Sequence, residues 1–401
     1  MSLWRLAWQL LWSRPLVASL NVAMLALGLG AMSLVSLTAE QLDQAVQRDL
    51  AGIDLVVGAK GSPLQLILAG VFHLDAPTGN MPLATLETLR QHPMVARVVP
   101  LSLGDSLRGY RIVGSTLDYL GLYQARLATG RPWQRPLEAV LGAEVARTLG
   151  LVAGQTFAGT HGLGEGGDAH GDTPYTVVGQ LAPCGCVLDR LVLTDLASVW
   201  AVHEGHTALD DEDRAALAAE REITLALVSY RTPLAAVTLP RWVNAMDGLQ
   251  AASPALESAR LLRMLGVGTE VLRAFGLLLL LVAGCSVFIS LYHAVREREP
   301  DLAMLRMLGA PPSRVAGLVA AEALWLAGLG ALAGLILGHG LTEVLGLILQ
   351  QQRSLALTGW WWSPSSPGLA ALAGGLAISA AALPAWRAAR LDVTQLLQSP
   401  R

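Results

Sequence analysis

Four stretches of this chain are too long, too apolar and too poor in charge to be the core of a soluble domain, and they limit its fold more than any other feature. The first runs from Pro15 to Leu37, 23 residues without a charged side chain. At about 1.5 Å of rise per residue, a helix of that length crosses a hydrocarbon core of about 30 Å. Three more follow, at Ala274 to Ala294, Val315 to Leu341 and Pro367 to Trp386, and a single acid, Glu322, interrupts them. Hydrophobic residues make up 53% of the chain and charged residues 15%, with a mean hydropathy of +0.48, which places it among membrane proteins. The first stretch exceeds the apolar region of a signal peptide. Thr38-Ala39-Glu40-Gln41 after it also lacks the small-residue cleavage pattern, so a retained anchor is expected.

The arginines orient these spans. Short loops rich in Lys and Arg stay on the cytoplasmic side. The two ends and the loop between the second and third spans carry Arg5, Arg14, Arg296, Arg298, Arg306, Arg314, Arg387, Arg390 and Arg401 against Glu297, Glu299, Asp301 and Asp392. Between Thr38 and Glu270 there are 25 acids and 17 bases, a net charge of −8. The expected layout has a cytoplasmic interfacial helix over 1–14 and spans over 15–37, 271–295, 315–341 and 367–386. An extracytoplasmic domain occupies 38–270, a cytoplasmic loop 296–314, a short external loop 342–366 and a cytoplasmic tail 387–401. Trp4, Trp8 and Trp12 share one face of the interfacial helix, either as a membrane anchor or as a docking surface. Trp360, Trp361 and Trp362 form an aromatic belt before the last span.

Segment 38–270 predicts an α+β domain. Strand patterns at Ile53–Val57, Arg111–Val113, Tyr175–Val178, Leu191–Leu193 and Thr224–Ser229 alternate with helical patterns at Pro82–His92, Leu137–Leu149 and Asp213–Glu222. Ser253 to Arg273 has helical spacing and leads toward the second span as a stalk. Leu64 to Phe72 is too short to span; it reads as a buried element of the domain core or as an apolar edge for a lipid chain. The fold class expected is therefore a four-helix membrane protein with an inserted extracytoplasmic α+β domain.

No phosphate-binding loop of the G-x-x-x-x-G-K-[ST] type occurs. Gly162, Gly164 and Gly167 match a bare G-x-G-x-x-G only inside a glycine-rich loop that opens no strand-to-helix unit. The chain is not expected to be an enzyme, and any ATPase must be another polypeptide. No nucleophile elbow and no H-E-x-x-H appear either.

Arg296-Glu297-Arg298-Glu299-Pro300-Asp301-Leu302-Ala303-Met304-Leu305-Arg306-Met307-Leu308-Gly309-Ala310 resembles the cytoplasmic signature of MacB/FtsX-type (type VII) ABC transporter permeases. Pro384 to Asp392 resembles the family's closing motif, and Trp12-Ser13-Arg14-Pro15-Leu16 its approach to the first span. Pro300, Trp386 and Val393 depart from the usual residues, and Pro300 is expected to end the helix of the second span. The resemblance implies a bacterial inner-membrane permease, paired with a second permease as a homodimer or pseudo-heterodimer and capped by cytoplasmic ABC ATPase subunits. ATP and magnesium are then bound by the partner and no cofactor by this chain. A periplasmic partner protein and membrane lipid are further expected partners, and nucleic acid is not. It assigns ATPase coupling to Asp301, Leu302, Leu305, Arg306, Leu308 and Gly309; Leu302, Leu305 and Leu308 are expected on one face of a short helix that ends at Leu308/Gly309. It assigns intramembrane coupling to Glu322, against an ion pathway with His339 and Glu343.

Six of the eight histidines fall in 38–270. Cys184 and Cys186, with His203 and His206 close behind and His161 and His170 in the glycine-rich loop, are thiolate and imidazole ligands suited to zinc or copper. The alternatives are a disulfide or two unrelated thiols. Two functions follow. The first is ATP-driven movement of the external domain, for export or extraction of hydrophobic or lipoprotein cargo or for mechanotransmission. The second is a non-transporting signalling scaffold that controls an envelope protein, in a variant related to metal.

Overall fold

The computed structural model describes residues 2–162, 173–204, 217, 220–351 and 357–390, and the chain divides into two compact units, Met1–Leu42 with Met264–Arg401, and Asp43–Arg263.

The first unit is helical. Its elements are α1 (Leu3–Leu11), α2 (Pro15–Asp49, which ends in the second unit), α9 (Pro254–Glu297, which begins there), α10 (Glu299–Met307), α11 (Pro312–Gln351) and α12 (Ser366–Ala389). α2, α9, α11 and α12 are each long and apolar enough to cross a membrane. Leu25, Leu29, Leu280, Val287, Leu326, Ala373 and Ala377 fill the space between them. Two helices outrun the apolar blocks. α2 continues from Leu37 to Asp49, and α9 already begins at Pro254, because helical hydrogen bonding does not stop where the side chains become polar. Gly266 and Gly268 lie inside α9 and do not interrupt it.

The second unit is built on one mixed sheet. Its path strands are β1 (Leu55–Ala59), β3 (Val95–Leu107), β4 (Tyr110–Ser115), β5 (Leu127–Gly130), β6 (Glu138–Leu141), β9 (Tyr175–Leu181), β10 (Val192–Asp195), β12 (Leu225–Tyr230) and β13 (Leu249–Ala252). They lie in the order β13-β1-β12-β3-β4-β10-β6-β9-β5. β7 (Thr156–Phe157) joins β9 and β8 (Thr160–His161) joins β3, while β2 (Met81–Pro82) and β11 (Glu222–Ile223) make a separate pair. The β4/β10 and β6/β9 pairs are parallel and the other pairs antiparallel.

Residues alternate across a strand, and here both faces of the sheet are covered. From β1, Val56 points into a cluster with Leu66 and Ile67 of α3 (Pro63–Gly70), whereas Leu55 and Val57 point into one with Leu86 and Leu89 of α4 (Thr85–Gln91) and Leu239 and Val243 of α8 (Ala235–Asn244). Leu64 to Phe72 is thus mostly a buried core helix, whose Ser62 side chain accepts the Gln65 N–H as an N-cap. Among the described residues the remaining α-helices of this unit are α5 (Asp118–Leu122), α6 (Ala143–Leu149) and α7 (Leu196–Glu204).

The helix expected over Leu137–Leu149 is a strand followed by a helix. Gly142 divides it, since a Cβ there would meet the Leu188 carbonyl oxygen at 2.2 Å. Most of the helix expected over Asp213–Glu222 lies outside the described residues.

The last turn of α2 carries a buried carboxylate. Asp49 accepts the Val187 N–H at 2.7 Å through Oδ1, and its own carbonyl accepts the Tyr123 hydroxyl at 2.9 Å. Burial outweighs the Val187 hydrogen bond and the charges of Arg190 and Arg48, and it pushes the Asp49 carboxyl up to about 6. The native state therefore holds this proton more tightly than the unfolded chain does between about pH 4 and pH 6. The contribution of Asp49 to stability is greatest in acid and falls as pH rises through that window, by about 3 kcal/mol at 1.36 kcal/mol per unit. Asp49→Asn keeps the acceptor for Val187 and removes the charge. In thermal unfolding of the full chain, it is expected to stabilise by about 2 kcal/mol at pH 8 and to be near neutral at pH 4.5. Equal effects at the two pH values would contradict the buried charge.

Candidate coupling site

The family-like segment folds into a short helix for local reasons. Proline lacks an N–H and cannot continue α9, but it is suited to a first helical turn. α9 ends at Glu297, and α10 restarts with Pro300 in its first turn, where Glu299 and Asp301 complement the positive end of the helix dipole. At the other end, Gly309 adopts φ +95°, a left-handed conformation that favours glycine. The Gly309 N–H reaches the Arg306 carbonyl and the Ala310 N–H reaches the Leu305 carbonyl, both at 3.1 Å, which closes the helix with a Schellman motif.

The expected single apolar face does not exist. At about 100° per residue, six residues turn Leu308 about 120° away from Leu302. Leu302 and Ala303 are buried against the bundle, whereas Met304, Leu305, Met307 and Leu308 face outward, Leu308 at 79% exposure.

Arg298, the residue between α9 and α10, ties this helix to its surroundings. Its guanidinium donates to Glu322 Oε1 of α11, to the Leu10 carbonyl at the end of α1 and to Ser13 Oγ, each at 2.9 Å. Glu322, the one acid in the apolar blocks, thereby gains a buried counter-charge, with side-chain exposures of 16% for Arg298 and 8% for Glu322. Arg306 of α10 donates to the Ala389 carbonyl at the end of α12, at 3.0 Å. Arg14 pairs with Glu297, and Arg387 donates to the Tyr292 hydroxyl. α1 packs on α11 through Ala7, Leu11 and Leu3, and the Trp325 indole lies against Trp4 and Trp8 and donates to the Trp4 carbonyl at 3.2 Å. The end of the helical unit where α1, α10 and the last turn of α12 lie is therefore pinned at the α9/α10 junction. Nothing local in the sequence gives Arg298 a role. The usable signal was Glu322, since a carboxylate inside an apolar span requires a cation nearby.

His339 and Glu343 hold a loop. His339 Nδ1 meets the Gly359 carbonyl at 2.6 Å, and Glu343 Oε2 accepts the Gly359 N–H at 2.7 Å and the Thr358 hydroxyl at 3.1 Å. Gln41 bonds both backbone groups of Thr358, and Glu40 accepts from Ser363. This is packing of residues 358–363 onto helix ends.

The metal reading of the external domain requires correction at its two sulfurs. Cys184 and Cys186 are joined in a disulfide, which leaves no thiolate to ligate a metal. His161 pairs with Asp105 at 3.2 Å, while His170, His206 and the side chain of His203 lie outside the described residues. No group of three metal-ligating side chains occurs among the described residues. His73 Nε2 meets the Tyr119 hydroxyl at 3.0 Å, and burial together with the Arg111 charge keeps its imidazole well below the usual histidine range.

Comparison with known proteins then places this architecture. A model for the MacB-like periplasmic core domain matches residues 18–234, and one for the FtsX-like permease C-terminal region matches residues 273–393. The periplasmic region of MacB from Actinobacillus actinomycetemcomitans is 11% identical, covers 54% of this chain and 95% of its own, and superposes with a TM-score of 0.36. The extracellular domain of the noncanonic ABC-type transporter YknZ from Gram-positive bacteria is 11% identical, covers 50% of this chain and 99% of its own, with a TM-score of 0.31. At those values the structural likeness adds no weight. No curated protein matches the chain. The two family models stand in the order that the helical and sheet units require, and the first alone spans more than half of the 401 residues. The chain belongs to the MacB/FtsX-type family of ABC transporter permeases.

Proposed function

We propose that this permease couples ATP hydrolysis by a separate cytoplasmic ATPase to movement of the domain Asp43–Arg263, and that the ATPase grips α10. The observation that carries this reading is the outward set Met304, Leu305, Met307 and Leu308 on a helix anchored to α1, α11 and α12 through Arg298, Glu322 and Arg306. Apolar side chains held outward on a rigid helix are the usual content of a protein contact. The arginine bias of the ends and of the 296–314 loop supports a cytoplasmic α10 and cytoplasmic termini. ATP and magnesium belong to the ATPase, and a second copy of the permease completes the assembly. Export or extraction of hydrophobic or lipoprotein cargo, or transmission of force to a periplasmic partner, is the work proposed for the moving domain.

The test uses two exposed positions whose change leaves the bundle core intact. Leu305→Asp with Leu308→Asp, co-expressed with the cognate ATPase, is expected to weaken co-purification at least tenfold, while melting of the isolated permease shifts little. Full assembly of this double variant would remove α10 as the ATPase contact.

A further inference from the structure

The Cys184–Cys186 disulfide has no part in the coupling reading, and it packs at the edge of a core cluster rather than inside it. Both cysteines are half-buried, and Pro183 and Gly185 beside them are exposed, so the bond lies at the surface of the domain. Gly185 closes the three-residue loop at φ +63°, a conformation that favours glycine, and the Arg48 guanidinium lies against it, where a Cβ would stand 2.8 Å from Nη1.

The surroundings of Cys184 suit a sulfur that leaves and returns. The Cys186 N–H points at Cys184 Sγ from 3.2 Å, a donor for a departing thiolate. Asp189 Oδ1 lies 3.4 Å from the same sulfur, within reach of a thiol hydrogen. The Asp189 carboxylate also accepts the Cys184 and Gly185 N–H groups, which holds the Cys184 side of the loop and leaves Cys186 to the disulfide. Arg48 supplies positive charge for an approaching thiolate. The residue after the pair is Val187, whose N–H is bound to the Asp49 carboxylate in the last turn of α2.

We propose that Cys184–Cys186 is a reversible thiol-exchange site for a protein dithiol, and that its reduction loosens the loop from Asp49 at the end of α2. A thiolate of the dithiol attacks Cys186 Sγ, and the S–S bond breaks with its electron pair leaving on Cys184 Sγ. That sulfur takes a proton from solvent and, as a thiol, hydrogen-bonds the Asp189 carboxylate. The second thiolate of the dithiol then attacks the dithiol's own sulfur in the mixed disulfide, and Cys186 Sγ leaves as a thiolate that takes a second proton from solvent. Two electrons and two protons pass to the pair, and the dithiol is oxidised to its own disulfide. Without the covalent closure, the backbone at Cys186 is free to move, and the Val187 hydrogen bond to Asp49 opens more often.

The full chain with Cys285→Ser, purified in detergent, leaves this pair as its only cysteines. It is equilibrated with thioredoxin or dithiothreitol at graded ratios of reduced to oxidised form, and thiols are trapped with a maleimide and counted by mass. The expected result is two thiols appearing together under native conditions, with amide exchange at Val187 at least tenfold faster on reduction and exchange at Val192 of β10 unchanged. Cys184→Ser with Cys186→Ser is expected to reproduce the fast exchange at Val187. Thiols that appear only in denaturant, or Val187 exchange unaffected by reduction, would overturn the proposal. Loss of protection at Val192 as well would make the disulfide a staple of the whole domain and overturn it too.

Discussion

Arg298→Met is expected to lower the stability of the full chain by about 3–5 kcal/mol, measured by unfolding in detergent, and Glu322→Gln by less than half as much. The asymmetry follows from what each substitution leaves behind. Without Arg298, Glu322 is left inside an apolar helix at 8% side-chain exposure with its counter-charge gone, and either a stranded charge or the proton needed to neutralise it costs stability. Stranded buried charges of this kind are the costly case. The Leu10 carbonyl suffers less, because it also accepts the Ser13 hydroxyl at 2.7 Å. Without the Glu322 charge, Arg298 retains Leu10 and Ser13 as acceptors and, at 16% side-chain exposure, reaches the edge of the bundle. The double variant Arg298→Met/Glu322→Met removes both charges and fills both volumes, so it is expected to recover at least about 2 kcal/mol of the loss in Arg298→Met. An Arg298→Met variant within about 1 kcal/mol of the parent, or a double variant that is no better, would show that the pair does not hold the junction.

That pair is not encoded by any local pattern in the sequence. The spans were legible because lack of charge over some twenty residues is a property of consecutive positions, and the Pro300 break and the Gly309 cap were legible because proline and glycine act on their own backbone. The role of Arg298 depends on residues 10, 13 and 322, brought to it by the end of α1, the turn that follows it and α11, and no local pattern encodes that. The same holds in the sheet. β3 runs 13 residues, Val95–Leu107, through Pro100 and Gly104, two residues that read as strand breakers, and its register shift after Leu103 absorbs the irregularity. The fate of Cys184 and Cys186 was likewise open, since a C-x-C spacing is equally compatible with a metal, a disulfide and two free thiols. Only the position of the loop decided it.

The packing of α2 on α11 gives the second large expectation, a reversal of sign between neighbouring glycines. Gly330, Gly334 and Gly338 recur every four residues along α11 and so share one face. That face meets Leu25, Leu29 and Ser33, which recur in the same way along α2. A Cβ on Gly338 would stand 2.5 Å from Ser33 Cβ and 2.9 Å from the Gly30 carbonyl oxygen, and one on Gly334 would stand 2.7 Å from Leu29 Cβ. Neither obstacle is the tip of a flexible side chain, so the helices must move apart and lose contact along the seam. Gly340, two residues on, has nothing within 4 Å of its Cβ position. There, alanine gains the helix propensity that glycine lacks, about 0.5–1 kcal/mol, without a clash. Gly340→Ala is therefore expected to raise the stability of the chain in detergent slightly. Gly338→Ala is expected to lower it by about 1–3 kcal/mol, and Gly338→Leu by more, to the point of losing the folded bundle. Two alanine variants that shift stability in the same direction would mean that α2 and α11 do not meet backbone to backbone at Gly338, and that the seam is held by its larger side chains instead.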